Sequence, residues 1–267
     1  MKNFPKTDGL LIEYSNGWVT IWFNQIKNRN AITNNIIDEL FSVFNFLKDD
    51  REVRGITLRG KGGIFCAGID LKSLKKMADA SKNAKSLSFE MSVKIGGLFK
   101  VINSAPQIVV AVTEGAAIAG GFGIACSADL ILTMPETKFS LTETRIGLTP
   151  AQISPYVINR LGYSLARKMM LLGARIDGRE AMKIGIADYI ANDSNLEDIL
   201  GNIKEQVFKC SPNAIAITKS ILTANEYIDP QKAASLFSDC VVSDEGQEGI
   251  NSFFEKRKPF WIGEKKI

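Results

Sequence analysis

The glycine-rich block at residues 114–125 is the feature that most constrains the fold of this chain. Its sequence is Glu-Gly-Ala-Ala-Ile-Ala-Gly-Gly-Phe-Gly-Ile-Ala, and it follows an apolar, β-branched run at residues 108–112 that predicts a buried strand. Glycine has no Cβ, so backbone N–H groups in such a turn can approach a ligand closely. A helix predicted over Gly120–Ser127 would add partial positive charge at its N-terminus. The block therefore predicts a strand, a turn and a helix that present backbone donors to an anion or a developing oxyanion.

A single acidic side chain, Glu143, stands in the run at residues 139–148, which reads Phe-Ser-Leu-Thr-Glu-Thr-Arg-Ile-Gly-Leu. Because Leu141 and Ile146 flank it, partial loss of water would raise the pKa of its carboxyl and suit proton transfer. The alternative is a surface glutamate paired with Arg145. A backbone oxyanion site together with one carboxylate indicates enolate chemistry, in which an oxyanion is stabilised and a proton is moved.

Composition excludes several classes of catalyst. The chain has no histidine, which rules out a Ser-His-Asp or Cys-His mechanism within it and any histidine-ligated metal site. Its four cysteines contain no Cys-x-x-Cys pair, so we expect reduced, mostly packed thiols; they are Cys66, Cys126, Cys210 and Cys240. Only Cys66, which lies beside the predicted oxyanion site, has the alternative interpretation of a reactive thiol. The net charge of +4 does not indicate a nucleic-acid partner.

Targeting and membrane segments are not expected. Residues 1–9 carry charges and no apolar core, unlike a signal peptide, and the mildly apolar run at 115–128 is too short to span a bilayer. These features predict a cytoplasmic protein with no membrane association.

Local patterns predict an α/β protein with a helical end. Asn16-Gly17 between two apolar runs predicts a hairpin, and Thr33 predicts the cap of a helix that ends near Leu47. The lysine-rich stretch at 72–85 is predicted to be a mobile loop. A helix is expected to start at Ser154-Pro155 and to end at Gly162, and a second is expected over residues 166–172, stopping at Gly173. Strands alternate with helices up to residue 199, and residues 200–267 are predicted to form a separate helical region.

Taken in order, these blocks resemble the crotonase (enoyl-CoA hydratase/isomerase) superfamily. Two further blocks support the resemblance, Gly-Ile-Phe-Cys-Ala-Gly-Ile-Asp-Leu-Lys at 63–72 and the segment at 245–259, so that it extends from Trp18 to Trp261. The resemblance implies an α/β fold with a crotonase-like ββα spiral core and a C-terminal all-helical trimerisation region. It also implies an acyl-CoA thioester substrate and a homotrimer or a dimer of trimers.

The resemblance assigns roles to particular residues. The backbone N–H groups of Gly120 and Ile69 match the oxyanion hole, where loss of one donor costs about 3–4 kcal/mol in the barrier. Glu143 matches a catalytic carboxylate. Without the resemblance, Gly120 would be explained by close helix packing and Ile69 by the core.

Three residues match positions that line coenzyme A in the family, and a tail lysine is a further candidate. Ala67 would offer its backbone carbonyl to the adenine, whereas Arg29 and Lys72 would meet phosphate. Lys256 would reach coenzyme A only if the terminal helices fold over a site, such as that of a neighbouring subunit. For the three cations the alternative is an ordinary solvated surface charge.

One departure from the family pattern bears on the reaction. Many hydratases of the family carry a second glutamate at the position that Gly123 holds here. A lone carboxylate also resembles Δ3,Δ2-enoyl-CoA isomerases, but the sequence around Glu143 looks closest to hydratases of branched glutaconyl-type CoA esters. We therefore predict an enoyl-CoA hydratase that needs no metal and no cofactor beyond the coenzyme A of its substrate. The alternatives are the isomerase and, because of the lysines at 72–85, a non-catalytic RNA- or protein-binding homologue.

Overall fold

A computed structural model of the chain describes residues 2–224 and 228–263. Its strands form two sheets, one of six strands in the order β1-β2-β3-β4-β6-β9 and one of three in the order β5-β7-β8. The strands are β1 (Leu10–Ser15), β2 (Trp18–Phe23), β3 (Gly55–Gly60), β4 (Ile108–Thr113), β5 (Ala116–Ile118), β6 (Leu130–Thr133), β7 (Lys138–Ser140), β8 (Arg175–Ile176) and β9 (Tyr189–Ile190).

Helices connect the strands and make up the C-terminal part of the chain. They are α1 (Asn34–Leu47), α2 (Leu71–Ala78), α3 (Ala84–Asn103), α4 (Gly120–Ser127), α5 (Ser154–Leu172), α6 (Gly178–Lys183), α7 (Leu196–Lys209), α8 (Pro212–Thr223), α9 (Pro230–Val242) and α10 (Asp244–Phe254). The predicted terminal helices are thus present, although residues 225–227 and 264–267 of that predicted region lie outside the described residues.

The main sheet begins with the predicted hairpin and continues in parallel. Strands β1 and β2 pair antiparallel around Asn16 and Gly17, both with positive φ, as a tight hairpin turn requires. From β2 onward each neighbour pairs in parallel, through β3, β4, β6 and β9. Parallel strands of this kind need long crossovers, and helices supply them.

The small sheet lies beyond the carboxyl ends of the main strands. β4 leads through Gly115 into β5 and then α4, and β6 leads into β7. β5 and β7 pair in parallel, and Cys66, which follows β3, forms a parallel bridge to Ala117 of β5. Each turn of the chain therefore contributes one main strand, one short strand and a helical segment. This arrangement confirms the predicted α/β spiral core.

Helices cover both faces of the main sheet. The larger apolar cluster joins α1, α3 and α4 to strands β1–β4, with Leu40, Phe99 and Phe122 among its fully buried members. The smaller cluster packs α7 against the other face, where Leu196, Leu200, Ile203 and Val207 meet Trp18, Val110, Val112 and Leu132.

Helix α7 crosses the domain boundary predicted at residue 200. Leu200 lies in the middle of that helix and is buried against the main sheet. Buried polar contacts then attach the following segments, since Lys219 of α8 donates to the Gln107 carbonyl at 2.7 Å and Arg54 donates to the Trp261 carbonyl at 3.2 Å. The division into 1–199 and 200–267 stays a prediction.

One local prediction is wrong and another is confirmed. The stretch at 72–85, predicted as a mobile loop, contains α2 and a short 3-10 turn, because the Asp70 side chain caps α2 by accepting from the N–H groups of Lys72 and Ser73. The break predicted at Gly162 is present in α5, where φ is 72° and ψ is 162°, and helical backbone then continues to Leu172 and stops at Gly173 as predicted.

Candidate active site

Three neighbouring segments of the small sheet bring the predicted catalytic groups to one edge. Cys66 is bridged in parallel to Ala117, and Ala117 pairs in parallel with Phe139. Ile69, Gly120 and Glu143 follow these three aligned residues after three or four positions. The N–H of Ala119 also donates to the Ser140 carbonyl at 2.8 Å, which keeps the second and third segments together as they leave the sheet. The topology therefore brings the segments that carry the three groups to the same edge.

The amides of Ile69 and Gly120 are free to bind a ligand. Neither N–H has a hydrogen-bond acceptor within residues 2–224 and 228–263. A Cβ built on Gly120 would stand 3.8 Å from the Ile69 nitrogen, so the two backbones approach closely. Gly120 is also the first residue of α4, whose N-terminus favours negative charge. Two free donors on adjacent segments are what an oxyanion hole requires.

Glycine is required where the segments approach each other. A Cβ on Gly121 would lie 2.4 Å from the Cys66 carbonyl oxygen, and one on Gly68, whose φ is +89°, would lie 2.7 Å from the Ile118 carbonyl oxygen. Ala119 adopts φ 49° and ψ −117°, which costs on the order of 1–3 kcal/mol for a residue with a Cβ. Backbone strain of this kind is often concentrated at functional sites.

Contacts on both sides fix the Ile69 amide. Ile32 donates from its N–H to the Gly68 carbonyl at 2.7 Å and accepts from the Asp70 N–H at 3.2 Å. The Asp70 carboxylate in turn accepts from the N–H and hydroxyl groups of Ser73 at the start of α2. Helix α2 and Ile32 thus hold the peptide that carries the first predicted oxyanion donor.

Glu143 opens a 3-10 turn, Glu143–Ile146, directly after the small sheet. Its Oε2 is buried and has no hydrogen-bond partner, and burial raises the pKa of the carboxyl. The alternative of a surface ion pair with Arg145 is not found within the described residues; a guanidinium nitrogen of Arg145 instead donates to the Leu172 carbonyl at 3.5 Å. A partly desolvated carboxylate with a free oxygen can accept and return a proton.

The position of the second family glutamate is occupied by apolar side chains. A Cβ on Gly123 would lie 2.7 Å from Phe99 Cζ and 3.0 Å from Ile153 Cγ1, and both side chains are buried. Sequence reasoning missed these two residues, because the apolar spacing of α3 predicts a buried face without showing which residue that face meets.

The cysteine predictions agree with the structure. Cys66 and Cys126 are free and buried, and burial raises the pKa of each thiol to about 12. A thiol with so high a pKa is a poor nucleophile, so the reactive interpretation of Cys66 fails.

Three of the predicted coenzyme A residues lie around the oxyanion loop. The N–H of Ala67 donates to the Arg29 carbonyl at 3.1 Å, two residues before Ile69. Lys72 stands exposed in the first turn of α2. The exposed side chains of Arg29 and Lys72 therefore flank the loop that carries Ala67 and Ile69, although their binding of coenzyme A stays a prediction.

Lys256 is not brought to this site by its own chain. It follows α10, in a tail whose Trp261 carbonyl accepts from Arg54 just before β3 begins. The candidate site instead lies past the carboxyl end of β3. Within the described residues no hydrogen bond or ion pair joins Lys256 to Ile69, Gly120 or Glu143. A contact with coenzyme A would have to be made in a neighbouring copy.

Two other kinds of feature are absent from the part of the chain that the structure describes. No group of three or more cysteine and acidic side chains is placed to hold a metal ion. None of the helices there is long and apolar enough to cross a membrane.

Comparisons with known proteins agree with this geometry. AtuE from Pseudomonas aeruginosa matches with a TM-score of 0.90 and 38% identity, covering 96% of this chain and 100% of that chain. An enoyl-CoA hydratase/isomerase from Marinobacter aquaeolei matches with a TM-score of 0.89 and 35% identity, covering 95% and 99%. Human mitochondrial methylglutaconyl-CoA hydratase is 26% identical, covering 95% of this chain and 76% of that protein. A family model described as enoyl-CoA hydratase/isomerase matches residues 13–264, and the chain accordingly belongs to that family.

Proposed function

We propose that this protein is an enoyl-CoA hydratase, which adds water across the double bond of a 2-enoyl-CoA thioester. The observation that carries the proposal is the pair of free amides, Ile69 and Gly120, beside a carboxylate whose buried Oε2 has no partner. The two amides would hold the thioester oxygen as it becomes an enolate, and Glu143 would move the proton. The names of the related proteins support hydration as the reaction.

The proposed substrate class is a 2-enoyl-CoA ester, with branched glutaconyl-type esters as the first to test. The likeness to methylglutaconyl-CoA hydratase supports this choice. Ala67, Arg29 and Lys72 would bind the coenzyme A portion. We propose that no metal or further cofactor takes part, because water addition is redox-neutral and the enolate charge can be held by the two amides.

The proposal includes self-association into a trimer or a dimer of trimers. Large apolar side chains on α9 and α10 are exposed in the single chain, among them Phe237 at 71%, Phe253 at 79% and Phe254 at 77%. Covering such a surface favours association. Lys256 lies two residues beyond Phe254 and would then be carried towards a neighbouring copy. Sedimentation velocity tests the assembly, and a monomer at micromolar concentration would contradict it.

The decisive experiment follows the absorbance of the conjugated enoyl thioester with straight and branched 2-enoyl-CoA esters. Wild-type protein should consume the absorbance, and Glu143→Gln should slow the reaction by roughly 100-fold or more. Glu136→Gln is the matched control, because Glu136 is exposed and paired with Arg179 at 2.5 Å, and it should leave the rate unchanged. Equal rates for wild type and Glu143→Gln would refute the assignment.

A Δ3,Δ2-enoyl-CoA isomerase is the second candidate, and the apolar surroundings of Gly123 favour it because an isomerase needs only one carboxylate. It would show rising absorbance with a 3-enoyl-CoA ester and no reaction of any 2-enoyl ester with water. That pair of results would replace the hydratase proposal.

We propose a cytoplasmic location for the protein, as the sequence predicts. The third candidate function is a non-catalytic homologue that binds nucleic acid. We propose no nucleic-acid partner, since the lysines of α2 lack interleaved aromatic side chains. A titration with single-stranded RNA at low salt should show no binding, and salt-sensitive binding would contradict this.

A further inference from the structure

The environment of Gly123 separates this chain from a hydratase with two catalytic carboxylates. Phe99 of α3 is fully buried and its ring edge reaches the place where a side chain at position 123 would begin. Ile153 closes the same space from the start of α5, at 3.0 Å. A carboxylate or an ordered water beside Gly123 would need several polar partners. Two apolar side chains at the Cβ position of Gly123 therefore leave no room for a side chain there and offer a water no hydrogen-bond partner.

The titratable groups packed around α4 do not supply a substitute. Cys66 lies behind Gly121 and Cys126 lies within α4, and burial raises the pKa of both thiols to about 12.

Tyr156 packs its ring edge-on against Phe99 with 5.8 Å between centroids, and burial raises its pKa as well. Its ring also lines a surface recess together with Asn103 and Arg160, at the amino end of the main sheet rather than beside Ile69. The two thiols and the Tyr156 phenol are therefore held uncharged near neutral pH, and Arg160 donates to Asp188 and to backbone carbonyls.

We propose that Phe99 and Ile153 form an apolar wall in place of the second carboxylate, so that Glu143 alone carries out both proton transfers of the hydration. The proposal rests on the hydratase function proposed above. Oε2 of Glu143 takes a proton from water while the water oxygen bonds to C3 of the enoyl group. The C2–C3 π electrons shift into the thioester enolate, held by the Ile69 and Gly120 amides. Glu143 then returns the proton to C2, which restores the carboxylate and the carbonyl.

This assignment predicts the pH dependence of kcat/KM. With one ionising group required as its carboxylate, activity falls as pH drops through the raised pKa of Glu143 and shows no alkaline limb up to about pH 9.5. A separate acid would instead give a bell-shaped profile. An alkaline limb that disappears in Tyr156→Phe would overturn the single-carboxylate assignment and identify the second group.

The wall itself is tested by stability, with no need for a substrate. Gly123→Ala should lower Tm by about 5 °C, because its methyl group meets the Phe99 ring. Phe99→Leu removes the ring edge, so the double variant Gly123→Ala/Phe99→Leu should be more stable than the sum of the two single changes predicts. Phe44→Leu is the control, a buried phenylalanine of α1 that is not among the atoms nearest to the Gly123 Cβ position, and it should combine additively with Gly123→Ala.

The stability experiment and the kinetic experiment test different parts of the proposal. Additive effects of Gly123→Ala and Phe99→Leu would overturn the apolar wall whether or not the protein is a hydratase. Failure to hydrate any 2-enoyl-CoA ester would overturn the proton roles together with the proposed function, while a coupled Tm effect would still establish the wall.

Discussion

Gly121 and Gly123 lie two residues apart in α4, yet they serve opposite purposes. Gly121 allows the Cys66 carbonyl oxygen to approach within 2.4 Å of where its Cβ would be, which keeps two backbone segments together beside free amides. The atoms nearest to the Gly123 Cβ position belong instead to the side chains of Phe99 and Ile153. The first glycine therefore permits a close contact between two backbones, and the second leaves its space to two apolar side chains. The same residue type in one motif can thus serve two different kinds of packing.

Gly121→Ala is expected to have the largest effect on activity. The backbone oxygen of Cys66 cannot move aside as a flexible side chain can, so the oxyanion segments should separate and kcat should fall by roughly 100-fold or more. Steady-state kinetics with a 2-enoyl-CoA ester measure this.

Two other glycines serve as controls for that change. Gly123→Ala should lose less activity than Gly121→Ala, because its clash is with side chains. Gly201→Ala should keep full activity and gain about 0.5–1 kcal/mol of stability, because Gly201 lies in α7 with nothing within 4 Å of its Cβ position. Equal losses of activity from Gly121→Ala and Gly201→Ala would contradict the role given to Gly121.

A smaller effect is expected from Asp70→Ala, which removes the cap of α2 next to the Ile69 amide. We expect a loss of about 1 kcal/mol in stability and a severalfold lower kcat with little change in KM for the coenzyme A ester. Asp70→Asn should restore both values, since asparagine also caps helices. An Asp70→Asn variant as impaired as Asp70→Ala would show that the charge, not the cap, is required.

The smallest effect concerns stability at Glu143. Its pKa is raised in the folded state, so its contribution to stability is present below the unfolded pKa, near 4.3, and is lost as pH rises through the folded value. Glu143→Gln should therefore raise Tm by a few degrees at pH 7, although it should slow the reaction by roughly 100-fold or more. The difference from wild type should shrink towards pH 4 in thermal scans. A lower Tm at pH 7 would mean that the carboxylate has a stabilising partner.

Much of the fold follows from local sequence. Asn16-Gly17 specifies a hairpin, Thr33 accepts from the Ile36 N–H as the predicted cap of α1, and Asp177 accepts from the Glu180 N–H at the start of α6. Each of these depends on residues close together in the chain. The break at Gly162 also follows from local sequence, since its φ of 72° is one that glycine readily adopts. The helix at 71–78 was harder to predict from its lysine-rich sequence, because the capping side chain of Asp70 stabilises it.

The candidate site divides in the same way. The glycine motifs, the lone carboxylate and the lack of histidine can be identified without a structure, since they are properties of residue type and spacing. The parallel alignment of Cys66, Ala117 and Phe139, which brings their downstream neighbours to one edge, is visible only in the folded chain. The same holds for the position of Phe99 beside Gly123 and for the distance of Lys256 from its own chain's site. Contacts between distant segments depend on how helices and sheets pack, and no local pattern records them.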